Sequence, residues 1–556
     1  MMASLAATQE NKARQSILIN WRTLAPWAFG YVVLPMVIFS LFWLRPLVGI
    51  FVAAVIVVAG ILAVNPPVLN RVVWLGSEAQ WRKVKLPNPF SGTREGDDDL
   101  HLNRKMLLVL AVVAVVWCFL GGQGSMWAQS ADWTARNTIF QELIQQPWPI
   151  YYDNGSAALV YYINHWMVPA ALARMVLLGT GSAAFAIGIG NVLLLAWTSI
   201  GVFLVELCVL VLLKAFTTKA IVFALVLLIL FSGMDIVGIV LRMLHGSPET
   251  AMFSSDPAGG MIYLHLEWWA RPGTYQFSSN TTLLFWVFNQ TVIPWLCTCM
   301  LLLSRSLASS ALIVVACLAA GPYAGVGLAV IALVLAIAAL AQKPSGGFKA
   351  WVQSFVSPVN VMAFLPAVVY ASYFLCNQSV ATSESRLTMI GLLPDVGIGA
   401  FALFLVLEMG IYAAIVGIAY WRTPLFWAVV GTLLCVPFIH IGSAYEFCCR
   451  ASIPALFCLM LMCGAFLMKH LTDRTHASPR SPSRIAAWAL VVCLAVGSVT
   501  PLCEFARGIT EVMNKGIEAS VRPTVDLGEF EVSANQVSNF KAIVTPDSPY
   551  FRFFAG

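Results

Sequence analysis

Three stretches of the sequence gather acids, bases, amides and aromatic rings at the edges of long apolar runs. The first is WAQSADWTARNTIFQELIQQPWPIYY (127–152), with Asp132, Arg136, Asn137 and Trp148. It follows fifteen uncharged residues, Met106 to Leu120. Asp132 and Arg136 are four apart, so a helix puts them on one face. A carboxylate so placed can take the proton of a hydroxyl. The same pair can also merely solvate an interfacial helix, with Trp127, Trp133 and Trp148 as aromatic-belt anchors. The second stretch, YLHLEWWARPGTYQFSSNTTLLFWVFNQ (263–290), sets Glu267 beside Trp268, Trp269 and Arg271. Indole faces suit the C–H face of a sugar ring, and acid and amide groups suit its hydroxyls. Asn289 and Gln290 lie a turn or two into a span, where polar side chains need partners. The third, GSAYEFCCRASIPALF (442–457), places Glu446 and Arg450 four apart at the mouth of an apolar helix. There an arginine can snorkel to lipid headgroups, or its planar fork can hold a lipid-linked phosphate. Asp235, in LFSGMDIVGIV, is an intramembrane carboxylate and therefore a functional candidate.

Membrane spans must position these groups. Of 556 residues, 60% are hydrophobic and 10% charged, against roughly 25% charged in soluble domains. Apolar runs of spanning length recur from Leu24 nearly to Phe505, which predicts an all-α membrane protein, a polytopic helical bundle of roughly 13–15 spans over residues 1–505. Spans are expected near 24–44, 47–64, 106–121, 158–178, 221–242, 283–304, 358–376, 393–420, 424–441, 450–469 and 485–503. The stretches 183–216 and 308–341 are each too long for one crossing of a core about 30 Å thick and are expected to split, at Gly201 and at Gly321-Pro322. The +6 net charge sits in a few loops, as membrane orientation requires, and calls for no nucleic-acid partner. Arg71, Arg82, Lys83, Lys85, Arg94, Arg104 and Lys105 make loop 65–105 cytoplasmic, as they do the N-terminus. Lys214, Lys343 and Lys469 fall on the same side. The long first external loop 122–157, loops 243–282, 377–392 and 442–449, and a short tail 506–556 then face outward. The first twenty residues have no apolar core and do not read as a cleavable signal. Thirteen cysteines fall mostly inside apolar runs, where a thiol is a small hydrophobe, and none has zinc-site spacing.

Acid, base, amide and aromatic groups thus collect on the outer side. This arrangement resembles the GT-C class of polytopic glycosyltransferases, in which an aspartate follows a span in a long first external loop. DWTARN, WPIYY, FSSNTTLLFWVFNQ, RASIPALF and the terminal SPYFRFFAG also resemble stretches found in a set of large bacterial multispanning membrane proteins. The resemblance implies transfer of a sugar from a polyprenyl-phosphate carrier to an acceptor hydroxyl on a glycan, lipid or protein, at the plasma membrane. It makes Asp132 the general base. Arg136, Asn137, Asp235, Glu267, Trp268, Trp269, Arg271, Asn289 and Gln290 become substrate-binding candidates, and Arg450 with Glu446 the donor-phosphate site. Metal-using members carry two acids in that loop; residue 130 here is Ser, so no metal ion or other cofactor is expected. Two rival functions fit the same composition. One is an ion-coupled transporter or lipid flippase using Glu206, Asp235 and Glu408. The other is a polysaccharide polymerase or ligase.

Overall fold

The computed structural model describes residues 16–65, 84–90, 96, 98–245, 265–270, 275–344, 346–377, 398–439, 441, 446–472, 481–527 and 540–556, and the backbone of 73–74 and 77–78. The protein is an all-α polytopic membrane protein. Helix starts follow the sequence closely. Asn20 and Thr23 form a reciprocal capping box, and Ser182, Thr217, Ser279 and Ser357 each cap a first turn. Pro46, Pro322, Pro358, Pro424 and Pro482 begin helices, where the missing N–H has no cost. By length and composition eight helices can cross a membrane, or ten if two bent pairs each count once. The shorter apolar helices Leu307–Ala320 and Pro424–Phe438 and the 17-residue helix Arg104–Leu120 also run between the two ends of the bundle. With these three, the described residues make thirteen crossings, at the lower edge of the expected range.

The two ends are defined by contacts. At one end Ser16–Ile19 pairs antiparallel with Leu100–Asn103. There Lys214 meets Asp98 at 3.6 Å, Arg305 O accepts Leu86 N–H at 2.7 Å, and Phe90 packs on Tyr420. At the other end Ala157–Leu159 lies between Tyr151–Tyr152 and Lys541–Ile543. Ala555 bridges to Leu44 there, and the Tyr373 hydroxyl donates to the Leu159 and Tyr161 carbonyls. The first external loop and the C-terminal tail therefore share an end, and the basic loop occupies the opposite one.

Three expected spans are corrected. Stretch 183–216 does not split: Ala183–Leu212 is one 30-residue helix. Gly201 is a packing residue, since a Cβ there would overlap the Tyr31 hydroxyl and Val292. The helix can exceed the core because its first third leans on the helix Trp133–Gln145, with Gly190 against Ile144. Region 158–178 does not cross either. Met167–Thr180 has only 14 residues and turns back at Gly181, whose φ is +68°. It packs beside the long helix, with Ala173 near Gly190 and His165 bonded to Thr198. Each correction removes one crossing, so the sidedness of every later loop is unchanged. Finally, 283–304 is not one span: Asn280–Gln290 meets Val292–Ser304 at 99°. Asn280 and Thr281 donate to the Leu228 and Ile229 carbonyls at the end of a broken span, while the Leu284 and Phe285 carbonyls accept from Gln123 and Trp133 of the first loop. The segment is a broken span with a re-entrant first half: Asn280–Gln290 dips to the broken helix Thr218–Leu230, and past the bend Val292–Ser304 runs on to Arg305 at the basic-loop end.

The lysines and arginines of loop 65–105 predict that this loop faces the cytoplasm and the C-terminal tail the opposite side. Cysteines introduced at Ser91 and Ser533, both outside the described residues, report the two ends in a background without reactive native thiols. An impermeant thiol reagent applied to intact cells should label Ser533→Cys and spare Ser91→Cys; labelling of Ser91→Cys would reverse the protein in the membrane.

Candidate active site

At the end that carries the first loop, a cavity of about 800 Å³ collects residues from four separate regions of the chain. The first loop brings Gln129, Ser130 and Asp132; the re-entrant segment brings His265, Trp268, Gln276 and Trp286; the third stretch brings Cys449 and Arg450. All three sequence clusters therefore contribute to one wall. The fourth contributor is the helix Val499–Ser520 with Arg522 beyond it. That helix runs straight through the expected boundary between bundle and tail.

Asp132 stands at the start of the helix Trp133–Gln145, with its side chain 47% exposed. Its Oδ2 meets Arg136 at 3.1 Å. Among the described residues no group donates to Oδ1, and Asp132 lines the cavity. Asn137 instead braces the loop: its Nδ2 donates to Gln129 Oε1 and to the Arg522 carbonyl, both at 2.8 Å. Arg450 is 11% exposed and, among the described residues, its ion pair is with Glu446, at 3.3 Å. Its Nε is buried without an acceptor. A guanidinium offers five N–H donors in a rigid fork, and among the described residues the Nε donor of this one meets no protein acceptor.

The aromatic wall is built on the re-entrant segment. The His265 ring stacks on Trp268 at 4.2 Å and 5°, and meets Trp286 edge-on at 4.9 Å. Burial, reinforced by the Arg507 charge, lowers the His265 pKa to about 3, so the ring is neutral at physiological pH. Trp268 Nε1 donates to Gln276 Oε1, and Gln276 Nε2 donates to Glu267 Oε2 at 2.8 Å. Glu267 therefore lies behind the wall. Its Oε1 accepts Ser279 N–H at the start of Asn280–Val287, where a carboxylate is favourably placed.

The C-terminal helix lays Glu504, Arg507, Glu511 and Lys515 along the cavity. Arg507 grips Glu504 through two contacts, 2.8 and 2.9 Å, while Trp286 Nε1 donates to the same carboxylate. Lys515 and Arg522 converge on Glu511 at 3.3 and 3.5 Å. The spacing 504, 507, 511, 515 is a helical face that ends at the break at Gly516, and with Leu502, Ile509 and Met513 exposed on the other face it was readable as an amphipathic interfacial helix.

The remaining candidates lie elsewhere. Trp269 is buried, with Nε1 donating to Glu408 at 2.7 Å. Asn289 and Gln290 are buried at the re-entrant bend, where Gln290 packs against Gly321. Asp235 is buried at the broken span beside Glu408. Glu206 stands apart in the helix Ala183–Leu212, with both oxygens unpartnered. Arg271 is outside the described residues, as are 246–264, 378–397 and 442–445 of the outer loops. Among the described residues no three His, Cys, Asp or Glu side chains are arranged to hold a metal ion.

Comparison with protein-family models, curated proteins and solved structures finds no match. The site's own geometry must carry the functional reading.

Glu267 provides a test of how the wall is held. Burial first, and the Asp235 carboxylate second, push its pKa up to about 8. An acid whose folded pKa is raised gives up stability as pH climbs from the unfolded value, about 4, to the folded one. Glu267→Gln, which cannot ionise, is therefore expected to flatten the thermal-stability profile between those two pH values. A variant profile parallel to the parent's would contradict this.

Proposed function

We propose that the protein is a membrane glycosyltransferase of the GT-C type. It moves a sugar from a polyprenyl-phosphate carrier to an acceptor hydroxyl at the outer face of a bacterial plasma membrane, in cell-surface glycan assembly. The N-terminus faces the cytoplasm and the C-terminus the exterior. The observation that carries this reading is Arg450. An almost buried guanidinium with a single ion pair, sharing a cavity with a half-exposed carboxylate, suits an anionic group that arrives with the substrate.

In this reading the carrier phosphate lies at Arg450 and the sugar lies against the His265–Trp268–Trp286 wall. The acceptor oxygen attacks the anomeric carbon while the bond from that carbon to the phosphate oxygen breaks. Its proton passes to Asp132 Oδ1, and the leaving phosphate keeps the bonding pair, stabilised by the guanidinium. Arg136, held on Oδ2, fixes the direction of the base. Attack opposite the leaving group inverts the anomeric centre.

A photoreactive polyprenyl phosphate tests the assignment of the cavity. In nanodiscs it should label peptides spanning 120–132 or 446–457, and excess unlabelled carrier should suppress the labelling. Labelling spread over the lipid-facing helices and indifferent to competitor would count against it.

A further inference from the structure

Beneath the cavity floor lie three carboxyl groups with no cation. Asp235, Glu267 and Glu408 are 1%, 1% and 2% exposed, and among the described residues none of them takes part in an ion pair. Asp235 begins the helix Asp235–Leu244, whose N-terminus favours a negative charge. Glu408 sits in a π-helical turn, Val406–Gly410, within the Ile398–Tyr420 span. Such turns displace side chains from the regular helical face and recur at functional positions.

The hydrogen-bond inventory distinguishes the two. Asp235 Oδ2 accepts from Ser232 at 3.0 Å and from Thr500 at 2.7 Å. Glu408 Oε1 accepts from Trp269 Nε1 at 2.7 Å. Among the described residues Asp235 Oδ1 and Glu408 Oε2 receive no donor, yet the two carboxyls contact each other. Two carboxylates have no donor to offer one another; a carboxylic acid and a carboxylate do. Two uncompensated charges in contact at this depth would also be strongly unfavourable. No space is left for a hydrated cation on this side, because even a Cβ on Gly233 would overlap Glu408 Oε2.

We propose that Asp235 and Glu408 form a proton-binding site in the membrane interior, with the proton on Glu408 Oε2 donated to Asp235 Oδ1. Asp235, with two hydroxyl donors and a helix N-terminus, carries the charge. The site does not depend on the glycosyltransferase reading. It does connect to the cavity: Glu408 holds Trp269, the neighbour of cavity-lining Trp268, and Trp269 in turn packs on Gly238. The other titratable or charged groups around the pair are few. They are Glu267 on the re-entrant segment, Tyr412 on the following helix, Cys463 and Cys493 on adjacent spans, and Arg242, bonded to the Trp269 carbonyl. Glu504, further along the helix that supplies Thr500, is neutralised by Arg507. Loss of the proton would leave Asp235 and Glu408 both charged and in contact.

Infrared difference spectroscopy of the full chain in nanodiscs reads the proton directly. Parent-minus-variant spectra cancel the contribution of Glu206; that of Glu267, which responds to the Asp235 charge, is removed by placing parent and variants alike in a Glu267→Gln background. At neutral pH, Glu408→Gln should remove one protonated-carboxyl C=O band. Asp235→Asn should keep that band and shift it, because the acceptor loses its charge. Loss of the band in Asp235→Asn but not in Glu408→Gln would place the proton on the wrong residue. An unchanged carboxyl region in both variants would remove the site altogether. Should Glu408→Gln fail to fold, the shift in Asp235→Asn alone decides, since a doubly ionised pair has no band to shift.

Discussion

Asp132→Asn should lower sugar transfer by a factor on the order of 10²–10⁴ while leaving donor binding nearly intact. The amide keeps the shape of the side chain and its oxygen can still accept, so the contact with Arg136, 3.1 Å in the parent, survives as a hydrogen bond from the charged guanidinium to a neutral oxygen. What it loses is the capacity to take a proton. A rate effect of this kind appears in turnover and not in substrate affinity. Asp132 is half exposed but its partner Arg136 is 4% exposed, so the amide should lower the melting temperature somewhat; turnover measured well below the variant's own melting temperature separates a catalytic defect from a folding one. Parental turnover by the purified variant would remove Asp132 from the chemistry.

Arg450 should fail differently. Arg450→Lys preserves charge but loses the fork, and Arg450→Ala loses both. Removing a charge-assisted hydrogen bond from a poorly solvated wall costs about 1.5–3 kcal/mol, roughly a 10- to 150-fold loss in kcat/KM for the donor. The alanine variant also leaves Glu446 without its partner at 3.3 Å, so its loss should be the larger. A residue that only snorkels needs a long stem and a charge, and lysine would replace it freely. Equal kcat/KM for parent and Arg450→Lys would make Arg450 an anchor.

Much of this site was legible in the sequence, for reasons that can be named. Asp132–Arg136 and Glu446–Arg450 are pairs at i, i+4, and both form ion pairs, since helical geometry alone brings such residues together. The turn at Gly321-Pro322 also falls where expected, because proline can begin a helix there but cannot continue one. Gly201 misled because a glycine in an apolar run can mark a turn or a close helix crossing, and only the position of Tyr31 distinguishes the two. The re-entrant segment left a signal in the polar string QFSSNTT (276–282), which a membrane helix would have to satisfy and which here bonds a broken neighbour. Glu504, Arg507, Glu511 and Lys515 were passed over as tail residues although their spacing repeats with the helix. Convergence is what no linear reading supplies. His265 becomes a wall residue only through its contact with Trp286, and Asp235 meets Glu408 across 173 positions of sequence.

The central claim is tested most directly by transfer itself. The purified protein in nanodiscs is given labelled sugars on polyprenyl-phosphate carriers, several sugars in parallel, with a mixed set of glycan and lipid acceptors, and the anomeric configuration of any product is determined. The account predicts transfer with inversion by the parent from at least one donor, and its loss in Asp132→Asn. Transfer by neither protein from any donor, with the same preparation instead moving ions or lipid across the membrane in a Glu408-dependent manner, would contradict it.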